Sequence, residues 1–263
     1  MSEVDVIVVD IDGGVMLRDC LDSIHAQTIA PREVIVFDNG SRVPLQIGGV
    51  RLLRSDRNLG FAGGVNAAFQ HSRSDLIALI NNDVVLDRDW LQTMKKLLDA
   101  DPKLAAAQTI IRRDERTIDG AGIDISDGTI RQIGHGLAID APLPEAWGVS
   151  ATASLYRRSA LGDRPFDERF FAYYEDVELC ARLHESGWRT AVLPFVKATH
   201  RGSASASILG QRAARLRTRN RYWVARMHRG VGRTPALLWE DARLLLRGRS
   251  SVRGIIEGLC SRL

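Results

Sequence analysis

Leu76-Ile77-Ala78-Leu79-Ile80-Asn81-Asn82-Asp83 is the stretch that decides how this chain folds. Five apolar residues run without interruption and stop on two amides and a carboxylate. A short apolar run closed by polar residues is the pattern of a central strand in a parallel sheet, covered on both faces. The polar stop then falls at the strand's carboxyl end, where open α/β sheets place their ligands. Asn81 and Asp83 are two apart, so in extended chain they point the same way. One carboxylate with one amide oxygen begins a hard-cation site of the kind that Mg²⁺ or Mn²⁺ shares with a phosphate. The plainer reading of the same residues is a strand running into a turn, where Asn and Asp are common.

The flanking sequence builds a sheet around this strand. Val4–Ile11 reads as a first strand, and Met16–Thr28 as a helix with Leu17, Cys20, Leu21 and Ile24 at helical spacing. Pro31 breaks the chain before a second strand, Glu33–Phe37, which ends in the turn signal Asp38-Asn39-Gly40-Ser41. A third strand, Val50–Arg54, precedes Asn58-Leu59-Gly60-Phe61-Ala62-Gly63-Gly64 and a helix to about His71. Those glycines let backbone N–H groups come close to a ligand, and a helix N-terminus favours anions. A helix from Asp87 or Asp89 to Asp99 completes a β-α-β-β-α-β-α unit in the style of a mononucleotide-binding half.

After Pro102 the pattern changes to a mixed or antiparallel extension. Leu104–Ile111, Ile130–Ala138 and Ala151–Tyr156 read as strands separated by Gly- and Asp-rich turns. A helix over 175–186 follows, with Val177, Leu179, Cys180 and Leu183 inward. Arg189–Leu193 and Val196–Thr199 read as short strands, and His200-Arg201-Gly202-Ser203 closes the body. The expected organisation is one body over residues 1–204, divided at 101/102, and a helical region over 205–263. The last stretch sets Val252, Ile255, Ile256, Leu259 and Leu263 on one helical face. That face can pack on the body, pair with another chain, or lie on a membrane; packing is the default.

The 263 residues suffice for one large α/β domain, and 45% hydrophobic with 26% charged residues is ordinary for a soluble globular protein. Three distant cysteines, Cys20, Cys180 and Cys260, give no zinc spacing and no disulfide framework, so a reducing cytosol is the expected location. Asp5, Asp10 and Asp12 interrupt the N-terminal apolar stretch, so no signal peptide is expected. No apolar run approaches the ~20 residues of a spanning helix. The net charge of +4 hides an asymmetry. From residue 201 on there are 14 arginines, no lysine and three acids (Glu240, Asp241, Glu257), a net of +11 that leaves −7 on residues 1–200. A basic region on an acidic body suggests an anionic partner: membrane surface, nucleic acid or phosphate.

Four polar clusters interrupt apolar elements: Asp38-Asn39, Asn81/Asp83, Glu175-Asp176 and His200. Three of them follow strand patterns, and strand ends in one sheet can converge on one cleft. Asp38 can cap a turn, accept the imino N–H of a uracil or thymine ring, or bind a ribose hydroxyl. Glu175-Asp176 can serve the helix dipole. The aromatic run Phe170-Phe171-Ala172-Tyr173-Tyr174 before them can instead wall in a carboxylate and raise its pKa toward that of a useful base. His200 can be structural or a ligand.

The succession VIVFDNGS, RNLGFAGGVNAAF, LINNDV, FDERFFAYYEDVELCARLHESGWR and VKATHRGSAS resembles the family-2 inverting glycosyltransferases of GT-A fold, and within them the bacterial branch that includes rhamnosyltransferases. The resemblance covers roughly residues 4–228, with the motifs in the family's order. It implies an α/β fold with a Rossmann-like, mostly parallel central sheet, helices on both faces and a C-terminal helical region. It implies transfer of a sugar from a nucleoside-diphosphate sugar to an acceptor hydroxyl (a glycan, glycolipid or small molecule) with inversion at the anomeric carbon. By match, Asp38 with Asn39 contacts the pyrimidine base. Asn58, Gly60 and Asn66 line the nucleotide pocket, and Asn82 and Arg219 face the donor. Asp83 supplies the metal-binding carboxylate, with Asn81 and His200 completing a site for Mn²⁺ or Mg²⁺. Asp176 matches the general base, and Glu175 orients acceptor or donor. Relatives that use lipid-linked acceptors imply a cytoplasmic protein in peripheral contact with the inner face of the membrane through its basic tail. Nucleic acid is not an expected partner, and the tail can equally mediate a homodimer.

Two positions depart from the family pattern. The family's first strand ends in a Thr-Tyr-Asn-like segment; here stand Asp10-Ile11-Asp12, whose carboxylates repel a diphosphate unless hydrogen-bonded or turned away. Asn81 at the first position of the metal motif leaves a weakly charged site, so low metal affinity is expected without nucleotide. Rival readings fit less of the sequence. A nucleotidyltransferase leaves the Glu-Asp helix and His200 unexplained, and a dinucleotide-binding dehydrogenase wants a GxGxxG that Asp12-Gly13-Gly14-Val15 does not supply. A membrane- or nucleic-acid-binding module with a degenerate body has no use for Asp83, Asp176 and His200.

Overall fold

Strand β4 (Leu76–Ile80) is buried along its whole length and lies between β1 (Val4–Asp10), parallel to it, and β10 (Ala153–Arg157), antiparallel to it. Its side chains alternate between two cores, as a period of two requires. Leu76, Ala78 and Ile80 join Val4, Val6 and Val8 on one face; Ile77 and Leu79 join Ile7 on the other. The computed structural model describes residues 2–202 and 209–261. Ser203, the expected boundary at 204/205, and Leu263 at the end of the expected apolar face lie outside the described residues.

The first half of the sheet is parallel, in the order β3 (Arg51–Ser55), β2 (Glu33–Asn39), β1, β4. Helix α1 (Val15–His25) buries Leu17, Cys20, Leu21 and Ile24 on one face, and α2 (Gly60–Phe69) covers the other. β5 (Val84–Leu86) follows β4 almost at once, a three-residue strand too short to announce itself by periodicity. α3 (Trp90–Ala100) returns the chain to β6 (Leu104–Arg112).

The second half is mixed, as the altered pattern after Pro102 implies. Beyond β10 lie β6, then β11 (Arg189–His200), then β5, and β7 (Ile118–Gly120) pairs with the end of β6. Two expectations need correction. Ile130–Ala138 is not one strand: β9 (Arg131–Gln132) pairs with β8 (Ile123–Asp124) and Ala138 makes a single bridge to Thr117, with Gly134 and Gly136 between them at left-handed φ angles of 77° and 79°. Arg189–Leu193 and Val196–Thr199 are one strand, β11, whose register slips between Leu193 and Val196. Pro194 lies at that slip and has no N–H to give the ladder.

After α4 (Arg158–Leu161), α5 (Glu175–Glu185) packs Leu179, Cys180 and Leu183 under the sheet. The C-terminal region is helical: α6 (Gln211–Met227), α7 (Thr234–Leu245) and α8 (Val252–Cys260). α6 packs on α5 and the 170–174 segment, so this region joins the body. α8 does pack, but not through the expected apolar face. Gly254 and Gly258 face α6, while Val252 and Ile256 stay exposed. Only a side without side chains allows so close an approach: a Cβ on Gly258 would lie 2.7 Å from Tyr222 Cβ.

Candidate active site

Parallel pairing gathers the polar stops at one end of the sheet. Asp10 ends β1 in register with Asp38 on β2, and Asn82 follows β4 beside them. Asn82 Nδ2 donates to Asp10 Oδ1 at 2.5 Å, and Gly13 N donates to Asp10 Oδ2 at 2.7 Å. Burial raises the Asp10 pKa against these bonds. Asp12 turns to Arg42, whose N–H and side chain bond its carboxylate. Both carboxylates of the departing segment are therefore engaged.

A small pocket opens here, lined by Asp10, Asn39, Asn58, Gly60, Asn82 and Phe171 among others. Asn39 Nδ2 donates to the Gly60 carbonyl at 2.9 Å, and its Oδ1 accepts from Leu59 N at 2.8 Å, which holds the glycine-rich turn. Gly60 has φ +78°, and a Cβ there would lie 2.3 Å from the Phe171 carbonyl oxygen. No other residue type lets segment 171 come so near.

Asp38 lies beside this pocket rather than among its lining residues. Its carboxylate is buried, accepts from Ser41 N at 2.9 Å and Leu45 N at 3.2 Å, and pairs with Arg54. Burial opposes its charge, but these bonds win and lower its pKa. Asn66 is also directed elsewhere: it donates to the Phe166 carbonyl at 2.8 Å and accepts from Phe166 N at 3.0 Å. Arg219 is not brought to the lining of either cavity. Its guanidinium bonds the carbonyls of Arg169 and Phe170 and stacks on Trp223, while Arg217 lines the larger cleft.

That neighbouring cleft, of about 740 Å³, holds Asn81, Asp83, Asp119, Glu175, Asp176 and His200. Antiparallel pairing of β11 with β5 sets His200 opposite Val84, one residue past Asp83. His200 Nε2 lies 3.1 Å from Asp83 Oδ1, and His200 Nδ1 lies 2.7 Å from Asp119 Oδ2. Burial disfavours the imidazolium, but the hydrogen bonds it donates to Asp119 and Asp83 outweigh it and raise the His200 pKa to about 9. Asp119, on β7, is a functional candidate that sequence reasoning missed. Its signal was a carboxylate next to Ile118 in a short buried strand, which looks like any turn residue until the sheet places it.

These residues fit a hard divalent cation. Asn81 Oδ1 is buried with no hydrogen-bond partner among the described residues. An amide oxygen, a carboxylate and an imidazole on one cleft wall suit Mn²⁺ or Mg²⁺. Among the described residues no three His, Cys, Asp or Glu side chains are grouped to hold an ion by themselves.

The acid pair faces the same cleft. Phe171, Tyr173 and Tyr174 all have φ between 66° and 70°, a sparsely populated conformation for bulky residues. Asn220 holds them in it: its Nδ2 contacts the carbonyls of Phe170 (3.0 Å), Ala172 (2.9 Å) and Tyr173 (2.7 Å). α5 starts directly afterwards, so this clamp fixes where Glu175 and Asp176 emerge. Asp176 is half-buried and accepts from Val177 N at 2.8 Å and Ala151 N at 3.2 Å. Glu175 is buried, and its Oε2 has no hydrogen-bond partner among the described residues. Burial raises both pKa values, and the Asp176 charge helps push Glu175 to about 8. Both carboxyls are therefore held protonated to higher pH than exposed ones. Tyr173 and Tyr174 line this cleft, whereas Trp147 and Trp188 pack against the core.

The fold has solved counterparts. A mannosyltransferase from Pyrobaculum calidifontis, PcManGT, solved with GDP-Man and Mn²⁺, superposes with a TM-score of 0.61 at 17% identity over 100% of this chain and 88% of that one. This likeness shows a GT-A-type fold. In sequence, the N-acetylglucosaminyl-diphospho-decaprenol L-rhamnosyltransferase of Mycobacterium tuberculosis is 25% identical over 96% of this chain and 94% of its own length. The chain is 27% identical to the uncharacterized protein y4gI of Sinorhizobium fredii over 72% of its residues, but spans only 23% of that protein's length. The sequence profile of Glycosyl transferase family 2 matches residues 6–164, more than half of the chain. This chain belongs to glycosyl transferase family 2.

Proposed function

We propose that the protein is an inverting transferase that moves a hexosyl or deoxyhexosyl group from a UDP- or dTDP-sugar to an acceptor hydroxyl. The observation that carries this reading is one cleft holding both a carboxylate base, Asp176, and the Asp83–His200 pair. Inversion by single displacement needs a base on one side of the anomeric carbon and charge stabilisation of the leaving diphosphate on the other. Asp176 takes the proton of the acceptor hydroxyl, a contribution of typically 10²–10⁴-fold. Glu175, protonated beside it, orients the acceptor by donating a hydrogen bond. Asp83, His200 and Asn81 would hold Mn²⁺ or Mg²⁺, which when bound neutralises charge on the diphosphate.

Asn39, Asn58, Gly60 and Asn82 receive the nucleoside in the smaller pocket. Asp38 acts from behind, tying the 41–45 turn and β3 to that wall, and Asn66 fixes the 166–168 loop. Arg219, with Asn220, holds the segment leading to the acids. We assign the N-terminal half to the donor and residues 102–204 to the acceptor. The acceptor belongs to cell-surface polysaccharide or glycoconjugate synthesis and is lipid-linked, a reading supported by the diphospho-decaprenol in the name of the mycobacterial relative. Among the described residues no helix is long and apolar enough to cross a membrane. The net charge of +11 from residue 201 on supports peripheral access to such an acceptor, from the cytoplasmic side, through the basic C-terminal helices.

Calorimetric titration of UDP, dTDP, GDP and NAD⁺, each with and without Mn²⁺, tests the reading, with Asp83→Ala alongside. Metal-dependent binding of one pyrimidine diphosphate, lost in Asp83→Ala, is the expected result. Binding of none, or of NAD⁺ alone, would sink it.

A further inference from the structure

α8 turns its glycines to the protein and two of its aliphatic side chains, Val252 and Ile256, to solvent, while Ile255 and Leu259 are half-buried. Gly254 and Gly258 sit against α6, while Val252 and Ile256 remain more than half exposed. α7 and the link after it behave alike. Leu238, Trp239 and Leu246 are all exposed, Leu246 at 90%. Scattered exposed apolar residues are normal. Five large ones on two consecutive short helices and their link are not scattered.

The charges of the same region are equally one-sided. All three acids after residue 201 are used internally. Glu240 pairs with Arg221 at 3.0 Å, Asp241 is buried against Arg221 and Tyr222, and Glu257 pairs with Arg215 and Arg253. Among the described residues Arg243, Arg247 and Arg249 form no ion pair, and Arg243 lies over the Trp239 ring at 4.8 Å. α7, the link and α8 therefore each expose aliphatic or indole groups, and α7 and the link add arginines that pair with no acid among the described residues.

We infer that this surface, residues 238–256, docks on anionic lipid headgroups, with Trp239, Leu246, Val252 and Ile256 entering the interface and Arg243, Arg247 and Arg249 meeting phosphates. The inference gives residues to the peripheral contact proposed above and rests on that reading. Apolar burial plus attraction to anionic lipid is the physics of interfacial helices. A second copy fits worse, because a two-fold contact presents the same patch to itself and would set arginines against arginines.

Cys260 gives a direct probe, since it is exposed whereas Cys20 and Cys180 are buried. The full chain, carrying an environment-sensitive fluorophore on Cys260, is mixed with phosphatidylcholine vesicles with or without one part in three of phosphatidylglycerol. Binding is read by co-sedimentation and by the emission shift. At low salt the affinity for the anionic vesicles should be at least ~10-fold higher than for the neutral ones, and should fall as salt rises. The double variants Leu246→Glu/Ile256→Glu and Arg247→Glu/Arg249→Glu should each lose it; all four positions are exposed, so the fold is kept and Tm checks this. Vesicle binding absent in the wild type, or unchanged in the variants, overturns the inference. So does a dimer seen by sedimentation that Leu246→Glu/Ile256→Glu disrupts without any lipid effect, or binding to an RNA or DNA oligomer in place of vesicles. Nucleotide titration of the same samples separates the two readings. Loss of lipid binding with intact nucleotide binding concerns this surface alone, and absent nucleotide binding in the wild type concerns the transferase reading alone.

Discussion

His200 Nδ1 lies 2.7 Å from Asp119 Oδ2, although the two residues are 81 apart in sequence and sit on strands that do not follow one another. The bond fixes the orientation of the ring and aims Nε2 at Asp83. Outer partners of this kind typically change metal affinity 10–100-fold when removed. Asp119→Asn should therefore weaken Mn²⁺ binding in the presence of the preferred nucleotide ~10–100-fold, measured by calorimetry, with unchanged circular dichroism. Wild-type affinity in that variant would remove Asp119 from the site.

Asp176 and Glu175 should separate kinetically. Asp176→Asn should lower kcat by roughly 10²–10⁴-fold while nucleotide affinity stays within about twofold, because a base acts on the acceptor and not on donor binding. Glu175→Gln keeps a neutral hydrogen-bond donor and should cost far less, mainly in acceptor KM. If the two variants fall equally in kcat, the division of roles is wrong.

The acid pair also sets a pH profile. The base must be ionised, and burial raises its pKa, so kcat/KM should rise with pH along a limb above the ordinary carboxylate range. A further change near pH 8 belongs to Glu175, which loses its proton there. Rate profiles of wild type and Glu175→Gln should differ in that upper step and share the lower limb. A profile flat down to pH 4 would contradict the buried pair.

Asn220 makes three contacts to carbonyls of a segment whose backbone is held in unfavourable φ. Asn220→Ala leaves those buried acceptors without their donor, a loss of about 2 kcal/mol in stability. The larger effect should be on turnover, since the segment sets the start of α5. We expect Tm to fall by several degrees and kcat to fall more than unfolding explains. A variant with normal kcat below its Tm would show that the clamp is dispensable.

Asp5 governs acid stability. Burial disfavours its charge, but bonds from Arg32, Ser72, Arg73 and Ser74 win and lower its pKa to about 2. The folded value lies below the unfolded one, so the stabilisation is present above about pH 4 and is lost as pH falls toward 2. It amounts to about 2 kcal/mol. Asp5→Asn should lower urea stability at pH 7 by that order and flatten its dependence between pH 4 and 2. Equal slopes for the two proteins would assign the acid sensitivity elsewhere.

Local patterning was enough for the sheet's parallel half. The uninterrupted Leu76–Ile80 run, the periodicity of Leu17, Cys20, Leu21 and Ile24, and the glycines after Asn58 each act within a few residues. Such signals survive in a linear reading. The polar breaks at Asn81, Asp83 and His200 could be picked out for the same reason, because each stands at the end of a strand, and Glu175 and Asp176 because they open a helix behind an aromatic run. What each side chain touches could not. Asp38 bonds the 41–45 turn and Arg54, Asn66 bonds Phe166 and Glu168, and Arg219 bonds Asn220 and the carbonyls of Arg169 and Phe170. Asp119, Arg217 and Asn220 reach the site through strand pairing and helix packing over 44–81 residues. The direction in which α8 faces was likewise invisible. Its hydrophobic pattern promised an aliphatic seam, yet the seam formed on glycine because the backbone of α6 comes too close for anything larger. Sequence determined the long strands and helices of the parallel half and where polarity would break them. Only the tertiary structure decided which distant groups share a hydrogen bond, because that depends on register and on the distance between backbones.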